Sequence, residues 1–188
     1  MTTHYIDIAL RPDPEFSHAH LLGALMAKLH RALVEIEADG IGISFPRYTL
    51  RPRSLGSVVR LHGGETDLRC LMARAWLQGM RDHVKLTEAM PVPAGITAHC
   101  VVQRRQFKTN VDRLRRRRMR RKGETWAEAA AAIPDSVERS PDLPYVQLRS
   151  ASTGQLFCLF IEQAEVLGEA QGKFNRYGLS QGVTVPLF

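Results

Sequence analysis

The sequence predicts a protein of the α+β class, built from two parts that differ in organisation. In the first half, segments of alternating apolar and polar residues are interspersed with segments whose apolar residues recur every three or four positions. In the second half, extended segments surround one strongly basic segment of helical character. The 188 residues suffice for one large domain or two small ones.

The first half predicts the order strand, helix, strand, strand, helix, strand. His4–Leu10 alternates as a half-buried strand does, and the next helix is expected to begin at Ser17 or Phe16 and end near Glu37. Further strands are expected at 41–45, 57–62 and 82–87, and a second helix, capped by Thr66 or Asp67, is expected to continue to Trp76.

Two helices on one face of a four-stranded antiparallel sheet form the ferredoxin-like arrangement, which RNA-recognition (RRM) modules also use. Residues 1–96 are therefore predicted to form a ferredoxin-like, RRM-like βαββαβ domain. Within it, the basic segment 47–56 carries Pro52 and Gly56 and is expected to be an exposed loop. The Pro- and Gly-rich segment MPVPAGI at 90–96 is expected to be a linker.

Residues 97–188 are predicted to form a C-terminal α+β domain that carries an arginine-rich helix at 110–122. Extended segments are expected at 98–107, 145–149 and 155–161, the last two as a hairpin around SASTG, and the segment from Phe174 onward is strand-like. The alanine-rich residues 123–141 show no pattern to which a role can be given.

The basic segment RLRRRRMRRK at 113–122 dominates the charge of the chain. Eight of its ten residues are Arg or Lys, and none is acidic. Without these eight, 18 of the 26 basic residues remain against 19 acidic ones, so a net charge of +7 becomes −1. Such a local concentration indicates a polyanionic partner that docks at one place, and nucleic acid is the leading candidate.

This segment is expected to be a helix, because no Gly, Pro or β-branched residue interrupts 112–122. At about 100° per residue, its apolar residues fall on one side and most of its arginines on the other. The apolar side holds Val111, Leu114 and Met119, and the basic side holds Arg113, Arg116, Arg117 and Arg120, with Arg121 flanking. Arginine favours phosphate, which it binds bidentately, although a solvated face or a disordered arm would show the same pattern.

Other classes of protein receive little support. Cys70, Cys100 and Cys158 form no CxxC pair, which indicates a reducing, cytoplasmic setting. The start of the chain lacks a signal-peptide layout, and no apolar run could span a membrane. The pairs His18/His20 and His99/Cys100 lack a second half at zinc-site spacing, so no metal or other cofactor is expected.

Six motifs, in their order and spacing, resemble the CRISPR repeat-processing endoribonucleases of subtype I-F (the Ypest subtype) over essentially the full length. The motifs are RPDPEF at 11–16, the LH pair ending at His30, IGISFP at 41–46, QRRQFKTN at 103–110 with the arginine segment after it, LRSASTGQLF at 148–157 and YGLSQG at 177–182. From the residues alone, His30 has six rivals among the other histidines, and only the resemblance singles it out.

The resemblance implies a metal-independent endoribonuclease that cuts precursor CRISPR RNA at the base of the repeat hairpin. The 2′-hydroxyl beside the scissile phosphate attacks, leaving a 2′,3′-cyclic phosphate, and the enzyme stays bound to the 3′ hairpin of the mature guide. It also implies other subunits of a type I-F surveillance complex as partners, with target DNA reached only through that complex. A non-catalytic subunit that binds the RNA hairpin is the alternative, since the arginine helix supports it equally well.

The resemblance also assigns roles to residues. His30 matches the general base, a role that suits a group titrating near neutral pH; Ser150 matches the residue that positions the 2′-hydroxyl, and Tyr177 the one that orients the histidine. Arg104 and Gln106 match a pair that reads base edges, and Phe157 an aromatic that stacks on the terminal base pair. The full set of expected RNA-binding residues is Arg104, Gln106, Lys108, Arg113, Arg116, Arg117, Arg120, Arg121, Ser152 and Phe157.

Overall fold

A computed structural model of the chain describes residues 2–107, 111–137, 141–150 and 153–188. Within these residues there are eleven strands and four α-helices, and the α+β class is confirmed. The helices are α1 (His18–Glu35), α2 (Glu65–Met72), α3 (Val111–Lys122) and α4 (Trp126–Ala132). The strands are β1 (His4–Leu10), β2 (Gly42–Ser44), β3 (Thr49–Leu50), β4 (Arg53–Ser54), β5 (Val58–Gly63), β6 (Val84–Leu86), β7 (Met90–Pro91), β8 (Ala98–Arg105), β9 (Tyr145–Arg149), β10 (Leu156–Leu167) and β11 (Thr184–Pro186).

The first sheet has the strand order β2-β5-β1-β6, and β7 pairs with β1 beyond β6 along the same edge. All of these pairings are antiparallel. The alternation that predicted β1 corresponds to its burial, since Ile6, Ile8 and Leu10 point into the core while the residues between them are less buried.

The second sheet has the order β11-β8-β10-β9, again with antiparallel neighbours. Strand β10 is longer than the sequence predicted, because it pairs with β9 from Leu156 to Phe160 and with β8 from Phe160 to Leu167. Arg104 lies opposite Ile161 in this register. Its side chain is exposed, which leaves it on a surface supported by the rigid ladder of β8 and β10.

Helix α1 joins the two sheets into one hydrophobic core. It packs against β1 of the first sheet and β9 of the second, and it buries Leu25, Leu29 and Leu33 completely. Each such leucine stabilises the fold by about 1.5–3 kcal/mol. A Cβ atom at Gly23 would lie 2.8 Å from the Gln147 carbonyl oxygen, so this close approach of helix and strand requires glycine.

Several local predictions were wrong. Residues 47–56 are not a plain loop, since they contain the two-stranded ribbon β3–β4. Helix α2 ends at Met72, short of Trp76, and its N-cap is Gly64 without a side-chain hydrogen bond. The patternless segment 123–141 contains α4, which begins with a capping box between Thr125 and Glu128.

The chain forms two compact units, one of residues 1–105 and 143–188 and the other of residues 106–142. Both sheets lie in the first unit, and α3 and α4 lie in the second. The division into domains 1–96 and 97–188 stays a prediction. None of the helices in the described part of the chain is long and apolar enough to cross a membrane.

The buried side chain of His62 makes the stability of the fold depend on pH. Burial, together with the charge of Arg60, lowers the pKa of His62 to about 3, and Ser44 Oγ lies 2.8 Å from its Nε2. Between pH 6.5 and about 3 the unfolded chain binds this proton and the folded chain does not, so the free energy of unfolding falls as the pH falls. From pH 6.5 to 5 we expect a loss of about 2 kcal/mol in urea unfolding.

His62→Gln serves as the control, because glutamine can keep a hydrogen bond to Ser44 but does not titrate. We expect its unfolding free energy to change less than that of the wild type over the same pH interval. Parallel curves for the two proteins would contradict this account of His62.

Candidate active site

The side chains of His30 and Tyr177 stack face to face. Their ring centroids are 3.9 Å apart and the ring planes differ by 3°. Helix α1 carries His30 in its last turns, whereas Tyr177 lies in the irregular segment before β11. Both side chains are half-buried. This stacking contact fixes the plane of the imidazole ring. The helix backbone alone would leave the ring free to rotate about χ2.

A hydrogen bond to the backbone selects the tautomer of His30. Its Nδ1 lies 2.8 Å from the carbonyl oxygen of Arg176. Because a carbonyl oxygen can only accept, Nδ1 must donate its hydrogen, and in the neutral ring Nε2 is then the basic nitrogen. The backbone bond and the Tyr177 stack therefore present an oriented imidazole whose Nε2 can take up a proton.

A tight turn holds Tyr177 in place. The Asn175 side-chain oxygen accepts hydrogen bonds from the backbone N–H groups of Tyr177, at 2.8 Å, and Leu179, at 3.2 Å. Gly178 adopts a φ of +72°, and its carbonyl oxygen accepts a 2.9 Å bond from Ile43 N–H of β2. The turn is thus attached to the first sheet, and its Asn-x-x-Gly pattern is a signal that the sequence analysis missed.

Arg104 and Phe157 lie together on the second sheet. The guanidinium carbon of Arg104 is 6.0 Å from the centroid of the Phe157 ring. Burial raises the pKa of the Tyr177 hydroxyl, and the nearby charge of Arg104 lowers it to a smaller extent. Arg104 is therefore close enough to act electrostatically on Tyr177, so a positive charge accompanies the His30–Tyr177 pair.

Ser150 lies directly after β9, in the turn that leads to β10. Its hydroxyl oxygen accepts a 3.2 Å hydrogen bond from Thr153 N–H, and its backbone N–H donates to Gln155 O at 2.8 Å. The turn therefore fixes the serine, and β9 packs along α1, the helix that carries His30.

Ser152, like Lys108, lies outside the described residues. Gln106 is exposed just beyond the end of β8 and belongs to the second unit.

In the second unit, α3 divides its basic residues between two faces. The five arginines predicted to bind are all exposed, which confirms their placement on one side: Arg113, Arg116, Arg117, Arg120 and Arg121. Arg115 is buried instead. It donates to Ile133 O at 3.0 Å and Asp135 Oδ1 at 2.8 Å, and it lies 5.7 Å from the Trp126 ring. Arg118 pairs with Glu124.

Arg115 and Arg118 therefore have structural roles that the charge count concealed. Both fall on the side of α3 that carries Val111 and Met119, and the acids that pair with them lie outside the basic segment. Because acidic side chains neutralise these two arginines, the uncompensated positive charge of α3 is concentrated on its exposed face. That face is suited to phosphate oxygens, which arginine binds in a planar, bidentate geometry.

We expect Arg115→Ala to destabilise the second unit by about 1–3 kcal/mol, because it removes several partly buried hydrogen bonds at once. Arg116→Ala, on the exposed face, should change the stability by no more than about 0.5 kcal/mol. Hydrogen exchange of the α3 and α4 amides in the full chain measures both effects. Equal protection in the two variants would contradict the structural role of Arg115.

Within residues 2–107, 111–137, 141–150 and 153–188, no group of three or more His, Cys, Asp or Glu side chains could hold a metal ion.

His62 is fully buried and its pKa is lowered to about 3, so it is unsuited to proton transfer at neutral pH.

Comparison with known proteins identifies a protein family that the chain matches over nearly its full length. A sequence model described as "CRISPR-associated protein (Cas_Csy4)" matches residues 5–188. A "CRISPR-associated endonuclease Cas6/Csy4" of Pseudomonas aeruginosa (strain UCBPP-PA14) is 50% identical over 186 residues, 98% of this chain and 99% of the relative. Its namesake in Escherichia coli (strain UTI89 / UPEC) is 40% identical over the same shares. A solved structure, "An RAMP protein binding different RNA substrates", covers 100% of both chains at 13% identity, but its TM-score of 0.35 is too low to support a conclusion.

Proposed function

Because the chain belongs to the Csy4 family of CRISPR-associated endonucleases, we propose that it cuts precursor CRISPR RNA at the base of the repeat hairpin. The oriented imidazole of His30 is the observation that carries this proposal. A ribose hydroxyl is a poor nucleophile until its proton is removed, and a fixed Nε2 that can accept a proton meets that need.

The reaction is an internal transfer at phosphorus. His30 Nε2 takes the proton of the 2′-hydroxyl, and the 2′-oxygen forms a bond to the adjacent phosphorus. The bond from phosphorus to the 5′-oxygen breaks, and that oxygen takes up a proton as it leaves. The products are a 2′,3′-cyclic phosphate and a 5′-hydroxyl, and no bound metal ion or cofactor takes part.

The remaining site residues position the substrate. Ser150, fixed in its turn, holds the 2′-hydroxyl in line for attack, an ordering effect that contributes much to rate. Arg104 contacts the foot of the stem through base edges or phosphate, and Phe157 stacks on the last base pair. Gln106, Lys108 and Ser152 are also proposed to contact the RNA.

The exposed face of α3 binds the hairpin stem and performs no chemistry. An A-form major groove is normally too narrow for side chains to read, so entry near a stem end or loop is expected. Because these contacts are the same before and after cleavage, the enzyme stays bound to the 3′ hairpin of the guide. In that state it joins the other subunits of a type I-F surveillance complex, and it reaches target DNA only through them. The cytoplasmic setting stays a prediction.

We also propose that the first sheet with α1 and α2 is a ferredoxin-like domain. Its strand order, β2-β5-β1-β6, supports this proposal, since two strand–helix–strand units interleave in one antiparallel sheet. The ribbon β3–β4 is then an insertion between β2 and β5.

Incubating the protein with repeat RNA in EDTA tests the function. We expect one cut at the base of the hairpin, no cut in an RNA whose stem sequence is scrambled, and retention of the 3′-terminal hairpin product on the protein. Tight hairpin binding without any cleavage would instead support the non-catalytic binding subunit.

The ring of Tyr177, rather than its hydroxyl, orients His30 through the stack. We therefore expect Tyr177→Phe to keep the single-turnover cleavage rate within about threefold, and Tyr177→Ala to lower it by about 10-fold or more because the imidazole is no longer held. If the two variants lose activity equally, the hydroxyl is the functional group and the stacking account is wrong.

A further inference from the structure

A groove of about 770 Å³ crosses the first unit beside the candidate active site. Its walls are the N-terminal half of α1, the end of the ribbon β3–β4, and the hairpin of β9 and β10. All of these elements belong to the same compact unit. None of the roles proposed above uses this groove.

The groove begins at the neighbours of two proposed catalytic residues. Ala27, at one end, lies in α1 one turn before His30, and Arg149, in another wall, directly precedes Ser150. From Ala27 the groove follows α1 back to His18 and Ser17. At 1.5 Å per helical residue this is a path of roughly 14 Å, enough for a few nucleotides.

The lining of the groove suits a polyanion with exposed bases. It contains Arg53, Arg149, His18 and His20, and none of the described residues that line it is acidic. Tyr145 lies in the lining with 54% of its surface exposed. Basic side chains that follow a backbone, together with an aromatic ring on which a base can stack, are the features of single-strand nucleic-acid sites.

We propose that this groove binds the single-stranded RNA on the 3′ side of the cleaved bond, which rests on the proposed function. The strand that carries the scissile phosphate must pass His30 and Ser150, and beyond that phosphate it continues as the 3′ flank. The 5′ flank leaves the hairpin from the opposite strand of the stem and does not pass the scissile phosphate. Arg53 and Arg149 contact phosphates of the 3′ flank, and Tyr145 stacks on one of its bases.

Binding of three hairpin RNAs to the full-length protein tests the proposal. All carry 2′-deoxyribose at the cleaved nucleotide, which removes the attacking hydroxyl. The first has a single nucleotide after the scissile phosphate, the second a longer 3′ flank, and the third a single 3′ nucleotide with a longer 5′ flank. We expect the second to bind about tenfold more tightly than the first, with a salt slope steeper by about 1.4, as two phosphate contacts to a single strand would give.

Arg53→Gln and Arg149→Gln should each remove part of the advantage of the long 3′ flank, whereas Arg81→Gln, an exposed cation outside the groove, should not. Because Arg149 also donates to Gly154 O in the hairpin turn, Arg53→Gln decides the result if Arg149→Gln fails to fold. Equal affinity for the first and second RNAs, or an advantage confined to the 5′ flank, would overturn the proposal. Cleavage of the short ribose-containing RNA by the wild type reports the proposed function separately.

Discussion

Replacing His30 with alanine is expected to lower the single-turnover cleavage rate of repeat RNA by about 10²–10⁴-fold, the usual contribution of a positioned general base. The affinity for the hairpin should stay within about twofold, because the positive face of α3 remains intact. Gel-resolved cleavage and filter binding, both in EDTA, measure the two quantities on the same protein preparation.

His30→Asn separates orientation from chemistry. An asparagine amide can keep the hydrogen bond to the Arg176 carbonyl oxygen that Nδ1 makes at 2.8 Å, but it offers no basic nitrogen in the position of Nε2. We expect this variant to be as inactive as His30→Ala, while His99→Ala, a histidine of β8 with no proposed role, keeps the wild-type rate. Full cleavage by His30→Ala would refute the assignment.

The triple variant Arg116→Gln, Arg117→Gln and Arg120→Gln is expected to weaken hairpin binding on the order of a hundredfold near 0.1 M salt. Three phosphate contacts account for a log–log salt slope of about −2.7 in a duplex, so the slope should become shallower by about that amount. The cleavage rate at saturating protein should change little, because these arginines are proposed to hold the stem and not to act on the scissile bond.

A matched triple variant controls for net charge. Arg69→Gln, Arg74→Gln and Arg81→Gln remove three exposed cations from the first unit, so long-range attraction falls equally in both proteins. We expect this control to lose only a small part of the affinity and to keep the salt slope. Equal losses in the two triple variants would show that α3 contributes nothing beyond general positive charge.

The parts of the fold that could be predicted from sequence are those with strong periodicity. Strand β1 and helix α1 were placed within a residue or two, because the alternation at 4–10 and the leucine spacing through α1 correspond to one buried face each. The end of α2 was wrong because Trp76 continues the apolar spacing while the backbone leaves the helix after Met72. Boundaries of this kind depend on tertiary packing rather than on pattern.

The candidate site was harder to predict from the sequence than the fold. The exposed face of α3 could be predicted from helical geometry, and the structure confirms it. The burial of Arg115 depends on its contacts with Asp135 and Trp126, which no local sequence pattern indicates. His30 could be selected among seven histidines only through the family resemblance. Its stack on Tyr177 and its bond to Arg176 join residues more than 140 positions apart, and pairings over such distances leave no periodic signal.

Binding and chemistry thus depend on different features of the chain. The arginine segment that dominates the charge is proposed to hold the stem through α3, and the proposed cutting group is the imidazole of His30, which a backbone carbonyl and an aromatic ring position. Loss of either is expected to leave the other intact, and the two sets of variants described above are designed to show this separation.

The most direct test of the central claim is analysis of the product ends after cleavage in EDTA, for RNAs with ribose or 2′-deoxyribose at the cleaved nucleotide. If His30 activates the 2′-hydroxyl, the ribose substrate yields a 2′,3′-cyclic phosphate and a 5′-hydroxyl, and the deoxyribose substrate binds without being cut. A 5′-phosphate product, or cleavage of the deoxyribose substrate, would show that water rather than the 2′-hydroxyl is the nucleophile and would contradict the mechanism.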